Sequence, residues 1–387
     1  MFKLFNLRRR VAQQELARQM TVFDRRAFEN PGMPPGPLPY STYDLMQRDS
    51  MVQTVMSVKR QGVLAAKYRV VPASDCGDAK RNAEFVEECF ARMEGSPVTI
   101  LDQAMDAFAK GWSVQESVYS LEDGLLWLKA VRAKNPASFG LEVDSFGRVT
   151  GLRLAEEQRR WGAEESGNWR SKSLAGGPLT PSPSPAVGRG ELPRAKFVIY
   201  ANRGGYGRPK GRSDLDAAFP HWQAKTRLLD AWKMHLEKFA SPTVLGKFQR
   251  GLPESEAAAL LRTLEGLAKR SAIVYPSEIE IGTLPGGRES NAGFMEAIDF
   301  HNREIARSVL GQTLTTDEGR RVGSLALGKV HLQVLLLQLQ ALRKELADTV
   351  MTEQVIRPLV ELNFGPGEVP RFEFEEVSLE AFVSGSL

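Results

Sequence analysis

The sequence predicts an α+β chain, with a mixed section of short helices and strands followed, from about Ser213, by a mostly helical one. Three observations carry this expectation. Residues 67–200 contain short alternating apolar runs bounded by Gly, Pro and Asp turns. Beyond Ser213, apolar residues recur at helical spacings of three and four. Two of the helical stretches flank a compact strand–helix–strand–strand pattern over residues 241–287.

A chain of 387 residues has room for about two to three domains. Its 42% hydrophobic and 25% charged content are those of an ordinary globular protein. The net charge of +4 is too small to indicate nucleic-acid binding by itself, although a homo-oligomer would multiply it. Cys76 and Cys89 make neither a four-ligand zinc site nor a disulfide framework, so reduced thiols are expected. Met1–Met20 carries Lys3 and Arg8-Arg9-Arg10 without an apolar core and does not read as a signal peptide. The most apolar helical stretch, Leu332–Leu342, is interrupted by Gln333, Gln338 and Gln340, so no membrane span is expected.

In order, residues 1–39 read as a basic, helical arm and a linker; the five prolines from Pro31 to Pro39 forbid helix or central strand there. Tyr43–Ala66 is expected as one helix, from Leu45, Val52, Val55, Met56 and Leu64. Lys67–Pro72 reads as a strand, Asp78–Met93 as a second helix, and Ile100–Lys110 as a third, capped by Gly111. Ser113–Tyr119 and Leu125–Ala130 form a hairpin across Glu122-Asp123-Gly124, and a second hairpin turns within Val143–Val149. A Pro/Ser-rich segment, residues 174–192, reads as an insertion between strands, with strand resuming at Phe197–Tyr200. Ser213 caps a helix running to about Ala240, kinked at Pro220.

The later elements follow the same logic. Thr243–Phe248 reads as a strand, Glu254–Lys269 as a helix, and Ala272–Tyr275 and Glu278–Ile281 as strands around a Pro276 turn. Gly286-Gly287 reads as a hinge, Ala292–Leu310 as helix, and Gly311–Ser324 as a polar loop. Leu325–Asn363 is expected as one helix of roughly 58 Å at about 1.5 Å per residue, with a packing seam at Leu332, Leu335, Leu339, Leu342, Leu346 and Val350. Arg371–Glu375 alternates as a last strand that returns to the first section's sheet.

No catalytic constellation accompanies these elements. The segment Arg203–Ser213 is glycine-rich and lies between strand and helix, but a dinucleotide fingerprint would need glycine at Lys210, and a P-loop would need Gly-Lys-Ser/Thr where Gly211-Arg212-Ser213 stands. It reads as a basic loop entering a helix. His221, His235, His301 and His331 all fall on expected helices with no metal-binding spacing, and His221 reads as a packing or subunit contact. Glu296, Asp299 and Glu304, with Arg303 and Arg307 among them, read as a solvated, ion-paired face. No nucleophile elbow is present. No cofactor and no metal are expected, and the chain is not expected to be an enzyme.

The order of several segments resembles a tailed-bacteriophage portal protein of the Mu-like group. These are Tyr43-Asp44-Leu45-Met46 through Tyr68-Arg69-Val70-Val71-Pro72, then Ala107–Glu116, Asn202–Gly211 followed by Pro220–Lys225, and Phe239–Thr243. The resemblance covers roughly residues 40–377. It implies a portal-type fold: an α/β wing over 40–212, stem helices over 213–240 and 292–310, and a small α/β clip over 241–287. It further implies a tunnel loop over 312–324, a long wing-crossing helix over 325–364, and a C-terminal wing strand and tail over 365–387. A helical crown would be reduced or absent, and the 174–192 insertion departs from the pattern.

The implied function is a twelve-subunit ring at one capsid vertex. Double-stranded DNA of any sequence would pass through it during packaging and ejection, with a terminase large subunit and a head–tail adaptor docked on it and capsid and scaffold proteins around it. The expected locations are the virion's portal vertex and, during assembly, the host cytoplasm. A channel indifferent to sequence needs few and mobile cations, because each neutralised phosphate adds salt-dependent affinity. Thr315, Arg320, Arg321 and Lys329 at the tunnel loop, and Lys225 and Lys233 on the stem, are the expected DNA-facing residues. Leu260, Leu264 and Leu267, on one side of Glu254–Lys269, are the expected clip docking contacts. Two other readings are a nucleotide- or DNA-processing enzyme using the 203–213 loop, and a structural tail protein of another kind.

Overall fold

In the computed structural model, which describes residues 38–144, 148–154, 191–192, 194–205, 208–239, 244–248, 251, 253–267, 272–276, 288–312 and 325–375, the first helical stretch is two helices. These are α1 (Tyr40–Met46) and α2 (Ser50–Leu64). Periodicity alone joins them, but Asp49 separates them. Its carboxylate accepts from the amides of Met51 at 2.9 Å and Val52 at 3.2 Å, an N-cap that starts a new helix. Strand β1 (Tyr68–Val71) and α3 (Gly77–Arg92) follow. The expected third helix also divides, into α4 (Pro97–Ala104) and α5 (Ala107–Lys110). The next strand supplies the reason: Ser113 donates to the Ala104 carbonyl at 2.8 Å and Gln115 to the Ile100 carbonyl at 3.0 Å.

That strand, β2 (Trp112–Glu122), forms the expected hairpin with β3 (Leu125–Lys134). Its turn residues Asp123 and Gly124 have φ of 51° and 78°, the left-handed pair that matches strand twist. Then come β4 (Phe139–Val143), β5 (Val149–Leu154), β6 (Glu191–Leu192) and β7 (Phe197–Ala201). One antiparallel sheet has the order β3-β2-β7 and a second has β4-β5-β6. Trp112, Val114, Phe139, Leu152, Phe197 and Ile199 form a core that draws on both sheets. Glu191 and Leu192, which the sequence assigned to the insertion, pair with Arg153 and Leu152, so the chain rejoins the sheet it left. The Pro/Ser run itself lies outside the described residues.

The chain divides into two units, one of residues 1–217 with 308–387 and the other of residues 218–307. Helix α6 (Leu215–Phe239) leads into the second unit and α8 (Arg288–Leu310) leads out. Helix α8 begins four residues before its expected start. Between them lie β8 (Val244–Phe248), α7 (Glu254–Leu267) and β9 (Ala272–Pro276). Strands β8 and β9 pair in parallel, which requires the crossover that α7 provides. Pro276 is the last residue of β9, opposite Phe248, and not the turn expected from sequence. Residues 278–281 and the Gly286-Gly287 hinge lie outside the described residues.

The last long helix runs unbroken from Leu325 to Phe364, as α9 (Leu325–Leu346), a wide π-type stretch (Ala347–Ile356) and α10 (Arg357–Phe364). Leu335, Leu339, Leu346 and Val350 of the expected seam are buried, while Leu332 and Leu342 are partly exposed. Within the π stretch Ala347, Val350, Met351, Thr352, Val355 and Ile356 are buried.

Two side-chain amides of this helix close the two edges of the β3-β2-β7 sheet. Gln354 accepts from the amide of Ile199 on β7 at 2.8 Å and donates to its carbonyl at 2.9 Å. Asn363 treats Leu126 on β3 the same way, at 2.7 and 2.9 Å. Each amide copies the pairing that a further strand would make, and the helix crosses the sheet from one edge to the other. Strand β10 (Arg371–Phe374) does not join this sheet. It pairs antiparallel with β1 as a separate two-stranded sheet, where the Tyr68 and Phe372 rings stack at 4.9 Å.

Candidate functional site

The glycine-rich loop between β7 and α6 is the first place to look for chemistry, and its backbone is already occupied. The amide of Gly204 bonds the Ala201 carbonyl, Arg208 that of Gly205, Gly211 that of Arg208, and Arg212 that of Asn202. Asp214 donates its amide to Phe108. A phosphate cradle needs amides pointing together at an anion; among the described residues of this loop these donors face carbonyls instead. Gly211 has φ +62°, and a Cβ there would lie 2.3 Å from the Asn202 carbonyl oxygen and 2.5 Å from that of Gly111. The glycine is required by close packing of three backbone segments, not by a ligand.

The loop ends in a buried ionic node. The Asp214 carboxylate is fully buried, 2.6 Å from the Lys59 ammonium, 3.4 Å from the Arg203 guanidinium and 3.0 Å from the Asn202 amide nitrogen. Lys59 also stands over the Phe108 ring at 4.1 Å. Ser213 donates to the Ala109 carbonyl at 2.5 Å and accepts from the Leu215 amide at 3.0 Å, one residue ahead of the position expected for a helix cap. Tyr43 donates to Asp216 at 2.5 Å. Burial, then the hydrogen bond to Asp216 and that group's charge, pushes the Tyr43 phenol well above its ordinary range, and burial raises the Asp216 carboxyl against the pull of Tyr43 and Arg212. These contacts bind the first turn of α6 to α1, α2 and α5. The node is an anchor for the start of α6.

The residues expected at a channel are placed as follows. Thr315, Arg320 and Arg321 lie outside the described residues. Lys329 is on the first turns of α9, its side chain outside the described residues. Lys233 is exposed on α6. Lys225 is 5% exposed, so it does not present a mobile cation as the sequence reading required. On α7, Leu260 is half-buried; Leu264 and Leu267 share its helix, with side chains outside the described residues. Glu304 pairs with Arg307, in keeping with an ion-paired face.

What sequence reasoning missed is the tertiary pairing of histidines 80 positions apart. His221 on α6 and His301 on α8 approach with Nδ1 atoms 3.2 Å apart. Further along, the His235 and Phe294 rings lie 5.6 Å apart, so the two helices run antiparallel within the second unit. No signal in the sequence pairs these residues except the expectation that both helices belong together. Exposed apolar side chains remain on both: Leu229, Met234 and Leu236 on α6, Met295 and Phe300 on α8. No group of three or more metal-ligating side chains occurs among the described residues, and no helix there is long and apolar enough to cross a membrane.

A family model described as the portal protein of Mu bacteriophage matches residues 40–382. The Mu-like prophage FluMu protein gp29 of Haemophilus influenzae is 27% identical over 352 residues, covering 88% of this chain and 61% of the relative. The portal protein of Escherichia phage Mu is 23% identical over 325 residues, covering 83% of this chain and 56% of the relative. The chain thus spans about 60% of the length of these curated relatives. A chain from the neck of an empty gene transfer agent particle superposes with a TM-score of 0.57 at 10% identity, covering 90% of this chain and 88% of that one, a likeness of fold alone. The family match takes in every described element from α1 to β10, and on it the chain belongs to the family of the Mu bacteriophage portal protein.

Proposed function

We propose that this chain assembles into a ring, with twelve copies as the expected number, that forms the channel at one capsid vertex through which double-stranded DNA is packaged and ejected. The observation that carries the reading is the family match over residues 40–382, together with the element order it spans: two long antiparallel helices flanking β8–α7–β9, a polar loop, then a helix crossing the sheet. Among the described residues of the 203–213 loop the backbone amides bond carbonyls, which weighs against a nucleotide-binding enzyme. In this reading residues 40–212 are the wing, α6 and α8 the stem, β8–α7–β9 the clip, and 312–324 the tunnel loop. Ring closure by heterologous contacts suits such a subunit, and the apolar side chains left exposed on α6 and α8 are available for them.

Passage of DNA of any sequence calls for weak, mobile cations, since tight phosphate contacts would hold it still. Arg320, Arg321, Lys329 and Lys233 are assigned to that role, near Thr315; Lys225 is removed from it by burial. Leu260, Leu264 and Leu267 of α7 are assigned to docking of a terminase large subunit and a head–tail adaptor. Negative-stain electron microscopy with native mass tests the assembly. Rings with a central channel are expected, and a chain that stays monomeric at every concentration overturns the proposal. Replacing Arg320 and Arg321 by alanine is expected to impair DNA packaging or retention; unchanged values for both overturn the luminal assignment.

A further inference from the structure

Within the unit formed by Ala218–Arg307, α6 and α8 meet through two half-buried imidazoles. The ring centroids of His221 and His301 are 5.4 Å apart and their Nδ1 atoms 3.2 Å apart. The difference is about two ring radii, so the two nitrogens point head-on at each other. That geometry is a hydrogen bond and not a cation clamp, in which both lone pairs would converge on a third point. It fixes the tautomers: one ring carries its proton on Nδ1 and donates, and the other carries it on Nε2 and accepts. Phe300 lies edge-on to both rings, at 6.2 Å from His221 and 5.2 Å from His301.

The proton count of this pair decides whether it holds. A first added proton goes to the free Nε2 of the donor ring. The resulting imidazolium still donates from Nδ1 to a neutral partner, through a stronger, charge-assisted bond. A second proton must go to the acceptor's Nδ1. Two N–H groups and two positive charges then face each other where one bond had been. We propose that His221 and His301 form an acid-released latch between α6 and α8, closed with no or one added proton and open when both rings are imidazolium.

The surrounding charges set where it opens. Glu304, one turn along α8 from His301, favours a proton there and is itself held by Arg307. Lys225, one turn along α6 from His221, is 5% exposed. Burial, then the His221 charge, lowers the His301 imidazole below its ordinary value, with Glu304 opposing. For a histidine whose folded-state pKa is lowered, the stabilisation is complete above the unfolded value of about 6.5 and is lost as pH falls through the folded one. The latch therefore opens in mild acid and stays shut at neutrality.

Hydrogen-exchange mass spectrometry on the full chain at pH 7.5 and pH 5.0, corrected for intrinsic exchange, tests this. Peptides from residues 218–232 and 294–307 are expected to lose protection by about tenfold in acid, the factor that one pKa unit represents, while the 112–134 hairpin stays protected. His221→Gln and His301→Gln each keep a side-chain amide able to bond the remaining imidazole, but neither can bring a second charge. In both the acid response of the helix pair is expected to disappear, and if one variant fails to fold the other carries the test. Equal protection at both pH values in the wild-type chain, or a full acid response in either folded variant, overturns the latch. The test does not depend on ring assembly.

Discussion

Replacing Asp214 by asparagine removes one charge from the most buried ionic site in the described chain and leaves its shape almost unchanged. The carboxylate is 0% exposed and its nearest cation, Lys59, is 13% exposed. Breaking a fully buried pair costs about 3–5 kcal/mol, because the remaining charge stays desolvated without a partner. Two features lower that figure here. Lys59 keeps some contact with water and with the Phe108 ring, and Arg203, 60% exposed, is resolvated freely and contributes under about 1 kcal/mol. The asparagine oxygen still accepts from Asn202. The expected loss is about 2–4 kcal/mol, read as a shift of the urea unfolding midpoint followed by tryptophan fluorescence. Lys59→Met removes the other charge, and the double variant is expected to be less destabilised than the sum of the two by about 2 kcal/mol. A loss under about 0.5 kcal/mol for Asp214→Asn, the range of an ordinary surface substitution, or strict additivity in the cycle, would refute the argument that α6 is anchored by this pair.

Four further outcomes follow from other contacts in the structure. Gln354→Ala and Asn363→Ala each strip a buried strand edge of one donor and one acceptor partner, and each is expected to lower stability by about 2 kcal/mol, nearly additively because they serve opposite edges; a double-variant denaturation series checks both points. Gly211→Ala places a Cβ 2.3 Å from the Asn202 carbonyl oxygen and is expected to destabilise by about 3 kcal/mol or more from the clash and the left-handed backbone together. Gly293→Ala, in a helix with nothing within 4 Å, is expected to stabilise by about 0.5–1 kcal/mol in the same assay. Burial pushes the Cys89 thiol up to about 11, whereas Cys76 is exposed and hydrogen bonds from Ser74 and the Ala79 amide lower its pKa. One thiol per folded chain is therefore expected to react with a disulfide reagent at pH 8, mapped to Cys76 by peptide analysis, with the second appearing only on unfolding.

The long elements and the hairpin turn were readable because their signals are local. Helical spacing from Leu325 onward, and Asp123-Gly124 between two apolar runs, depend on neighbours within a turn or two. Breaks inside periodic stretches were less readable. Tyr43–Ala66 has one apolar rhythm, yet Asp49 starts a second helix with its own cap. The 100–110 stretch divides because Ser113 and Gln115 reach back from the following strand. The π stretch at Ala347–Ile356 left no mark that a search for 3.6-residue spacing could detect.

The candidate site divides along the same line. Arg203–Ser213 could be named from sequence as a glycine-rich basic loop, and its failure to match either phosphate motif could be checked there. That its amides bond carbonyls, and that Gly211 is wedged against the backbones of Asn202 and Gly111, emerges only once strand, loop and helix are packed. The sequence by itself determined the α+β class, the order of the long helices around a small module of strands and one helix, and the resemblance to one portal family. Only the tertiary structure decided that Asp214 joins Lys59, that Gln354 and Asn363 close opposite sheet edges, and that His221 meets His301. Each of these contacts links residues more than 75 positions apart. Hydrophobic spacing specifies which face of an element is buried, whereas a polar contact between distant residues also requires the register and rotation of two elements, which are set by how they pack.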